Sequence, residues 1–472
     1  KNTPQRFGLP ILGNTLSMSF RSLETMISIQ RKYPDIVELH FPNTYTMFFV
    51  TNPELIEEVL VTKQKSFHKD AFLKVYAQEV FGNGLLSSDG EFWLRQRRMA
   101  QPAFHRQRIE AYADIIAHHT EQFLSRCIAG LPFNFTKEMM QLTLDIVAET
   151  LFGDVKPHQK QIINESLDAI MDQFSNDGLD LISQITRIPL TKHRNQRYNE
   201  ATAKLDRTIN EIIKERIQSP VERNDLLGML LAARDDDGQA MNLQQLVDEC
   251  KTMFLAGHET TALTMTWTMR ILLKHPPVLL TLRNEIQRVL GARTATMADM
   301  MHLDYTEKVI RESMRLFPPA YTISRHSIDA VQIGDYHIPA NKDINLSQIA
   351  VQRDPRWYDN PDAFVPERWS TAFRAALPKY AYFPFGGGPR LCIGQQFALL
   401  ETTIILMRIL QHADWSLTGW QRITAQPSIT LRPKQPVMMS MHPLRNGDAS
   451  PINAHQHQDD ADGGDGGDGS GD

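Results

Sequence analysis

Two short alternating stretches, IVELHF and TYTMFFVT, flank the turn formers Pro42 and Asn43 and predict a hairpin. PELIEEVLVTK then reads as a helix with proline in its first turn. Residues 71 to 90 hold Gly82, Gly84 and Gly90 between apolar positions, the pattern of a long ordered loop. From Phe92 to Ile217 apolar residues recur with helical spacing, broken near Gly130, Gly153 and Pro189. The longest predicted helix runs from Leu243 to Lys274. Asn242 and Gln245 form a capping-box signature at its start, and Pro276 and Pro277 end it. Beyond Met253 its apolar residues cover most of the circumference, as in a helix that passes through a core. A helix over RESMRLF stops at Pro318 and Pro319. AVQIGDYHIPANKDINLS alternates around Gly334 and Asp335 and predicts a second hairpin. Residues 352 to 384 show little regular pattern. Helix 395 to 411 is apolar on nearly every side, hence buried, and SITLRP predicts one more strand. The chain reads as mainly α with small β-sheets.

Composition adds limits. The 472 residues are 42% hydrophobic and 22% charged, ordinary for a globular chain with a large core. No internal linker divides residues 1–443, which are expected to form one domain. Residues 444–472 turn to Gly, Asp and His with little to bury, and predict a disordered tail. A formal charge of -5 and the lack of an aromatic-basic stripe argue against a nucleic-acid partner. No apolar run reaches the roughly 18 residues of a membrane span. Cys127, Cys250 and Cys392 are too scattered for a CxxC motif and fit a reducing compartment, so a cytoplasmic location is expected. Lys1 stands where a start methionine would, which leaves open a segment or anchor ahead of it.

Cys392 lies in FGGGPRLCIG. Gly386, Gly387 and Gly388 let the backbone turn tightly and approach a flat ligand. Gly394 leads into the following helix, whose N-terminal amides favour a thiolate. Phe385 can shield the sulfur from water, and Arg390 can pair with an anionic group. A buried structural cysteine needs no such frame, whereas a metal-binding thiolate does.

FPFGGGPRLCIGQQFALLE resembles the haem-binding signature of the cytochrome P-450 superfamily, with Phe385, Gly388, Arg390, Cys392 and Gly394 on its spacing. The resemblance implies that fold, a long central helix over the haem, and Cys392 as proximal thiolate of non-covalent haem b. Thiolate ligation pushes electron density toward iron and favours O–O cleavage. AGHETT is similar to the family's oxygen-activation motif. It implies Ala256 and Gly257 beside the dioxygen site, a Thr260 hydroxyl bonded to the Ala256 carbonyl, and Glu259 relaying protons. ESMR and PER imply a buried structural trio of Glu312, Arg315 and Arg368. FWLRQRR, TISRHS and the cysteine loop imply Trp93, Arg97, Arg325 and Arg390 as propionate anchors.

By family position the substrate wall would comprise Val75, Val80, Leu85, Leu86, Phe174, Phe254, Ala320, Tyr321, Thr322 and Ile429. That mostly apolar set suits a fatty acid, terpenoid or steroid. The motifs look more like the fatty-acid and eukaryotic-type branch than the camphor-type branch. Alanine at position 256 argues against a haem ester, and Glu259-Thr260 against a peroxide-driven relative. No GxGxxG fingerprint of a fused reductase follows a strand. Electrons from NAD(P)H are therefore expected through a separate ferredoxin with its reductase, or a flavoprotein reductase, to a monomeric monooxygenase using O2. Arg95, Arg98, Arg106 and Arg108 would offer a positive docking face. The two rival readings are an oxygen-independent haem-thiolate isomerase or dehydratase, disfavoured by the acid-alcohol pair, and a haem gas sensor, disfavoured by the apolar wall.

Overall fold

The computed structural model describes residues 5–7, 13–42, 45–70, 78–153, 155–173, 192–218 and 225–444. Its principal helices are α1 (Ser22–Lys32), α2 (Gly90–Ala100), α3 (Ala113–Arg126), α4 (Phe135–Phe152), α5 (Pro157–Gln173), α6 (Lys192–Gln218), α7 (Leu226–Ala232), α8 (Leu243–Leu272), α9 (Pro276–Val289), α10 (Asp304–Leu316) and α11 (Gln395–His412). The predicted tail, and Asn43, Val75, Phe174 and Pro189, lie outside the described residues.

Helix α8 is the axis. Asn242 accepts from the Gln245 amide at 2.9 Å and Gln245 accepts from the Asn242 amide at 2.9 Å, closing the capping box. At 1.5 Å per residue its thirty residues span about 45 Å. Nearly every position is buried, because α4, α6, α10 and α11 pack around it. Ala256, Gly257 and Thr260 break that cover, since they face a cavity. Further along, Trp267 stacks on Phe317 at 4.3 Å between ring centroids and donates its Nε1–H to the Leu431 carbonyl. Pro276 and Pro277 occupy the first turn of α9 and enforce the break after α8.

The strands are β1 (Gln5–Phe7), β2 (Ile36–His40), β3 (Thr46–Val50), β4 (Phe67–His68), β5 (Phe133–Asn134), β6 (Ile323–Ser327), β7 (Val331–Ile333), β8 (Tyr336–Ile338), β9 (Asp343–Leu346), β10 (Asp414–Leu417), β11 (Ala425–Pro427), β12 (Leu431–Pro433) and β13 (Met438–His442). The largest sheet has the order β1-β2-β3-β9-β6-β4. Its β2–β3 hairpin pairs Ile36 with Val50. The hairpin expected over 330–347 is confined to β7 and β8. DINL leaves it as β9 and runs parallel to β3, with Phe48 opposite Ile344, because its buried face completes the core of the large sheet. Of SITLRP only Leu431–Pro433 is strand, as β12 paired with β11, while residues 428–430 form the bend between the two. The irregular stretch 352–384 holds only short turns of helix.

That irregular stretch is locked by Glu312. Its carboxylate accepts from Arg315 Nε and Nη2 at 2.8 Å, Arg368 Nε at 2.9 Å, Trp369 Nε1 at 2.9 Å and the Val365 amide at 3.0 Å. Arg315 spends its remaining donors on the carbonyls of Gln352, Pro361 and Ala363. Burial alone would raise the Glu312 carboxyl, but the arginines and the Val365 amide overcome it and hold it below the usual carboxylate range.

Candidate functional site

A cavity of about 390 Å³ separates α8 from the cysteine loop. Its roof carries Met253, Ala256, Gly257, Thr260, Thr261 and Thr264 from α8. Its floor carries Phe385, Cys392 and Gly394, with Phe397, Ala398 and Thr402 of α11. Cys392 is enclosed by protein, and its accessible surface opens onto this cavity rather than onto bulk solvent. The Cys392 amide donates to the Phe385 carbonyl at 3.0 Å, which closes the loop beneath the sulfur. Gly388 makes that closure possible. Its φ is +65°, and a Cβ there would lie 1.9 Å from the Leu60 carbonyl oxygen.

Burial pushes the Cys392 thiol up, while the Gly394 amide and the Arg97 guanidinium pull it down. Burial is the largest of the three effects. A cation at the sulfur supplies the missing charge, since metal ligation and proton loss are coupled.

One edge of the cavity is crowded with cations. Lys69, Arg97, Arg325 and Arg390 all line it. Lys69 is held well below its ordinary value by burial and by the charges of Arg325 and Arg390. Arg325 is pushed down to about 10, by burial first and then by Arg390. Arg390 donates to the Ser88 carbonyl at 3.0 Å, pairs with Asp89, and lies over the Trp93 ring at 4.3 Å from its centroid. Cations that depress one another fit a ligand that brings negative charge, as the two propionates of haem do. A cavity with a thiol on one side and a helix on the other suits the rest of the porphyrin.

Thr260 Oγ1 donates to the Ala256 carbonyl at 2.7 Å. Glu259 points elsewhere. Its Oε1 accepts from Thr430 Oγ1 and Arg432 Nε, each at 2.5 Å, and its side chain is 1% exposed. Its partner Arg432 lines a second, polar cleft together with Asn164 and Asp168. Glu259 is not among the residues that line the main cavity.

Leu85, Leu86 and Ala320 line the main cavity. Five other expected wall residues do not. Val80 is fully buried in the apolar cluster behind the cavity, and Phe254 stacks on Phe152 at 5.5 Å. The Tyr321 hydroxyl donates to the Ser428 carbonyl, and that of Thr322 to Asn345 Oδ1. Ile429 packs against the cluster that holds Phe254. On the expected docking face Arg95 pairs with the largely buried Asp235, while Arg98, paired with Asp236, and Arg106, paired with Glu110 one helical turn on, remain exposed.

Sequence reasoning missed Lys69, Arg432 and the wall residues Phe104, Ile109, Tyr112, Val147 and Leu151. A lysine just after the two-residue strand β4 carries no local signal. Only its distance from Arg325 and Arg390 in sequence, against its nearness in space, reveals it.

A family model described as cytochrome P-450 matches residues 3–441. Cyclooctatin synthase of Streptomyces melanosporofaciens is 33% identical over 441 residues, 93% of each chain. Pentalenene oxygenase of Streptomyces avermitilis is 30% identical, with 90% of this chain and 92% of that protein covered. A cyanobacterial family member with retinoic acid bound is similar at TM-score 0.81 and 26% identity, covering 94% of this chain and 99% of the other. Matches of that extent make this protein a member of the cytochrome P-450 family.

Proposed function

We propose that this haem-thiolate monooxygenase acts on a terpenoid. The observation that carries the reading is the wall of the cavity above Cys392, where Leu85, Leu86, Val147, Leu151, Met253 and Ala320 present a mostly apolar surface. Relatives that act on terpenoid substrates support it. They also favour a bacterial terpene-oxygenase setting over the fatty-acid and eukaryotic-type branch.

Bound haem supplies the activation of O2 and the delivery of one oxygen atom to the substrate. The chain supplies the rest. Cys392 would hold the iron, and Lys69, Trp93, Arg97, Arg325 and Arg390 would hold the propionates. Thr260 Oγ1, already oriented by the Ala256 carbonyl, positions a proton over the cavity floor. Glu259, clamped by Arg432, which itself lines the polar cleft, connects that proton supply to solvent. The apolar wall holds the substrate and excludes water around it.

Family members need a redox partner, and no helix among the described residues is long and apolar enough to cross a membrane. We assign the partner to a ferredoxin with its reductase or a flavoprotein reductase, and the enzyme to a cytoplasmic monomer. The single catalytic domain 1–443 followed by a tail stays part of the same proposal.

The test is a spectral-binding screen of the haem-loaded protein with terpenoids, fatty acids and steroids, followed by turnover with NAD(P)H, partner proteins and O2. A spin-state shift and O2-dependent hydroxylation with terpenoids alone support the reading. Turnover without O2, or selective response to fatty acids, overturns it.

A further inference from the structure

The wall residues Leu85 and Leu86 belong to a short loop, 82–89, that lies directly on α8 and is fastened at both ends. At one end two acids of α8 accept from its backbone. Asp248 Oδ2 accepts from the Asn83 amide at 2.8 Å, and Glu249 Oε2 accepts from the Leu85 amide at 3.1 Å. The approach is too close for side chains. A Cβ at Gly82 would stand 2.0 Å from Asp248 Oδ1, and one at Gly84 would stand 2.3 Å from Thr252 Oγ1. At the other end Arg390 takes the Ser88 carbonyl and Asp89. Between them Ser87 Oγ donates to the Gly82 carbonyl at 2.6 Å, which folds the loop on itself.

Glu249 is the unexplained member. It is fully enclosed, its Oε1 has no hydrogen-bond partner, and it touches neither the cavity nor the cysteine loop. A buried carboxyl with a single backbone bond costs stability. What it gains is a fixed Leu85 amide, and with it the direction of the adjacent side chains. We propose that Glu249 is a positioning residue for substrate choice: by holding the Leu85 amide on α8 it sets how far Leu85 and Leu86 project into the cavity.

The inference rests on the monooxygenase reading for its consequence, since the wall selects a substrate only if the cavity takes one. Its mechanical half stands alone. Burial pushes the Glu249 carboxyl up to about 8, so near neutral pH it is mostly an uncharged acid. Glutamine then matches it in shape and in acceptor, whereas alanine removes the acceptor.

The experiment compares wild type, Glu249→Ala and Glu249→Gln. Hydrogen exchange at the Leu85 amide needs no substrate. It should speed up at least tenfold in Glu249→Ala and stay near wild type in Glu249→Gln. Spectral titration of the haem-loaded proteins with farnesol and geranylgeraniol should show the alanine variant binding farnesol several-fold more weakly. Its preference between the two chain lengths should be lost, with an unaltered thiolate spectrum, and the glutamine variant should restore both. Unchanged exchange at Leu85 overturns the clamp. Faster exchange with unchanged affinity and preference overturns the role in substrate choice. If wild type responds to neither probe, the terpenoid reading fails, and exchange at Leu85 alone decides the clamp.

Discussion

Arg432 Nε lies 2.5 Å from Glu259 Oε1, and the pair joins the centre of α8 to β12 across 173 positions of sequence. The carboxylate is buried while the guanidinium is partly exposed. This arrangement holds the acid away from the lining of the cavity. Removing the cation without removing the acid should therefore disturb proton supply and leave substrate binding alone. A positioned proton donor is worth on the order of 100-fold or more. Arg432→Gln, which keeps the donor but releases it, should cost about tenfold in turnover. Arg432→Lys should recover part of that loss. Steady-state rates beside spectral dissociation constants check the split, and a variant that loses binding but not rate would contradict it.

Thr260 makes a different contribution. Its hydroxyl is already held by the Ala256 carbonyl at the exposed strip of α8. Thr260→Ala should raise the hydrogen peroxide released per NAD(P)H consumed several-fold while haem content and resting spectrum stay normal. Thr260→Ser should stay close to wild type. Equal coupling in all three proteins would remove Thr260 from the proton path.

Glu312 is the structural counterpart. Five N–H donors converge on its carboxylate, three of them from Arg315 and Arg368. Glu312→Gln leaves two buried guanidiniums without their anion, a loss of roughly 3–5 kcal/mol. Denaturant unfolding should show that loss, and the proximal loop should fail to retain haem. A variant that unfolds at the wild-type midpoint would mean the trio is not buried as described.

Much of this architecture was legible because its signals are local. The cysteine loop, the capping box at Asn242 and the AGHETT strip are each contained within a few residues. What was not legible depends on which face of an element turns inward. Met253 lines the cavity and Phe254 does not, although they are neighbours on α8, because successive helical positions diverge by about 100°. Lys69, Arg432 and Glu249 acquire meaning only through partners far along the chain. Arg95 and Arg98 read as a free positive face until the 235–236 turn folds against them. The departure of β9 from its neighbouring hairpin is likewise a tertiary choice, made by the apolar core beneath the large sheet.

Stability should fall from acid toward neutral pH on account of Glu401. This carboxyl is buried between α11 and α8 beside Thr261. Burial pushes it up to about 8 from an ordinary 4.5, against a smaller opposing effect of the Thr261 hydroxyl. Between those values the native state holds a proton that the unfolded chain has lost. Stability therefore declines with rising pH across the window, by at most about 1.4 kcal/mol per pH unit from this group, and levels off above it. Glu249 adds a slope of the same sign. Glu401→Gln should flatten the decline and be more stable than wild type at pH 8. Parallel curves for the two proteins from pH 5 to 8 would show that Glu401 is ionised in the fold.

The ligand of the iron decides the whole account. The measurement is the carbon monoxide difference spectrum of the reduced, haem-loaded protein beside Cys392→Ala. The wild type should show the band of a thiolate-bound haem, and the variant should lose it while the apolar fold survives. A histidine-type band in the wild type, or a thiolate band that persists in Cys392→Ala, would contradict the assignment of the sulfur.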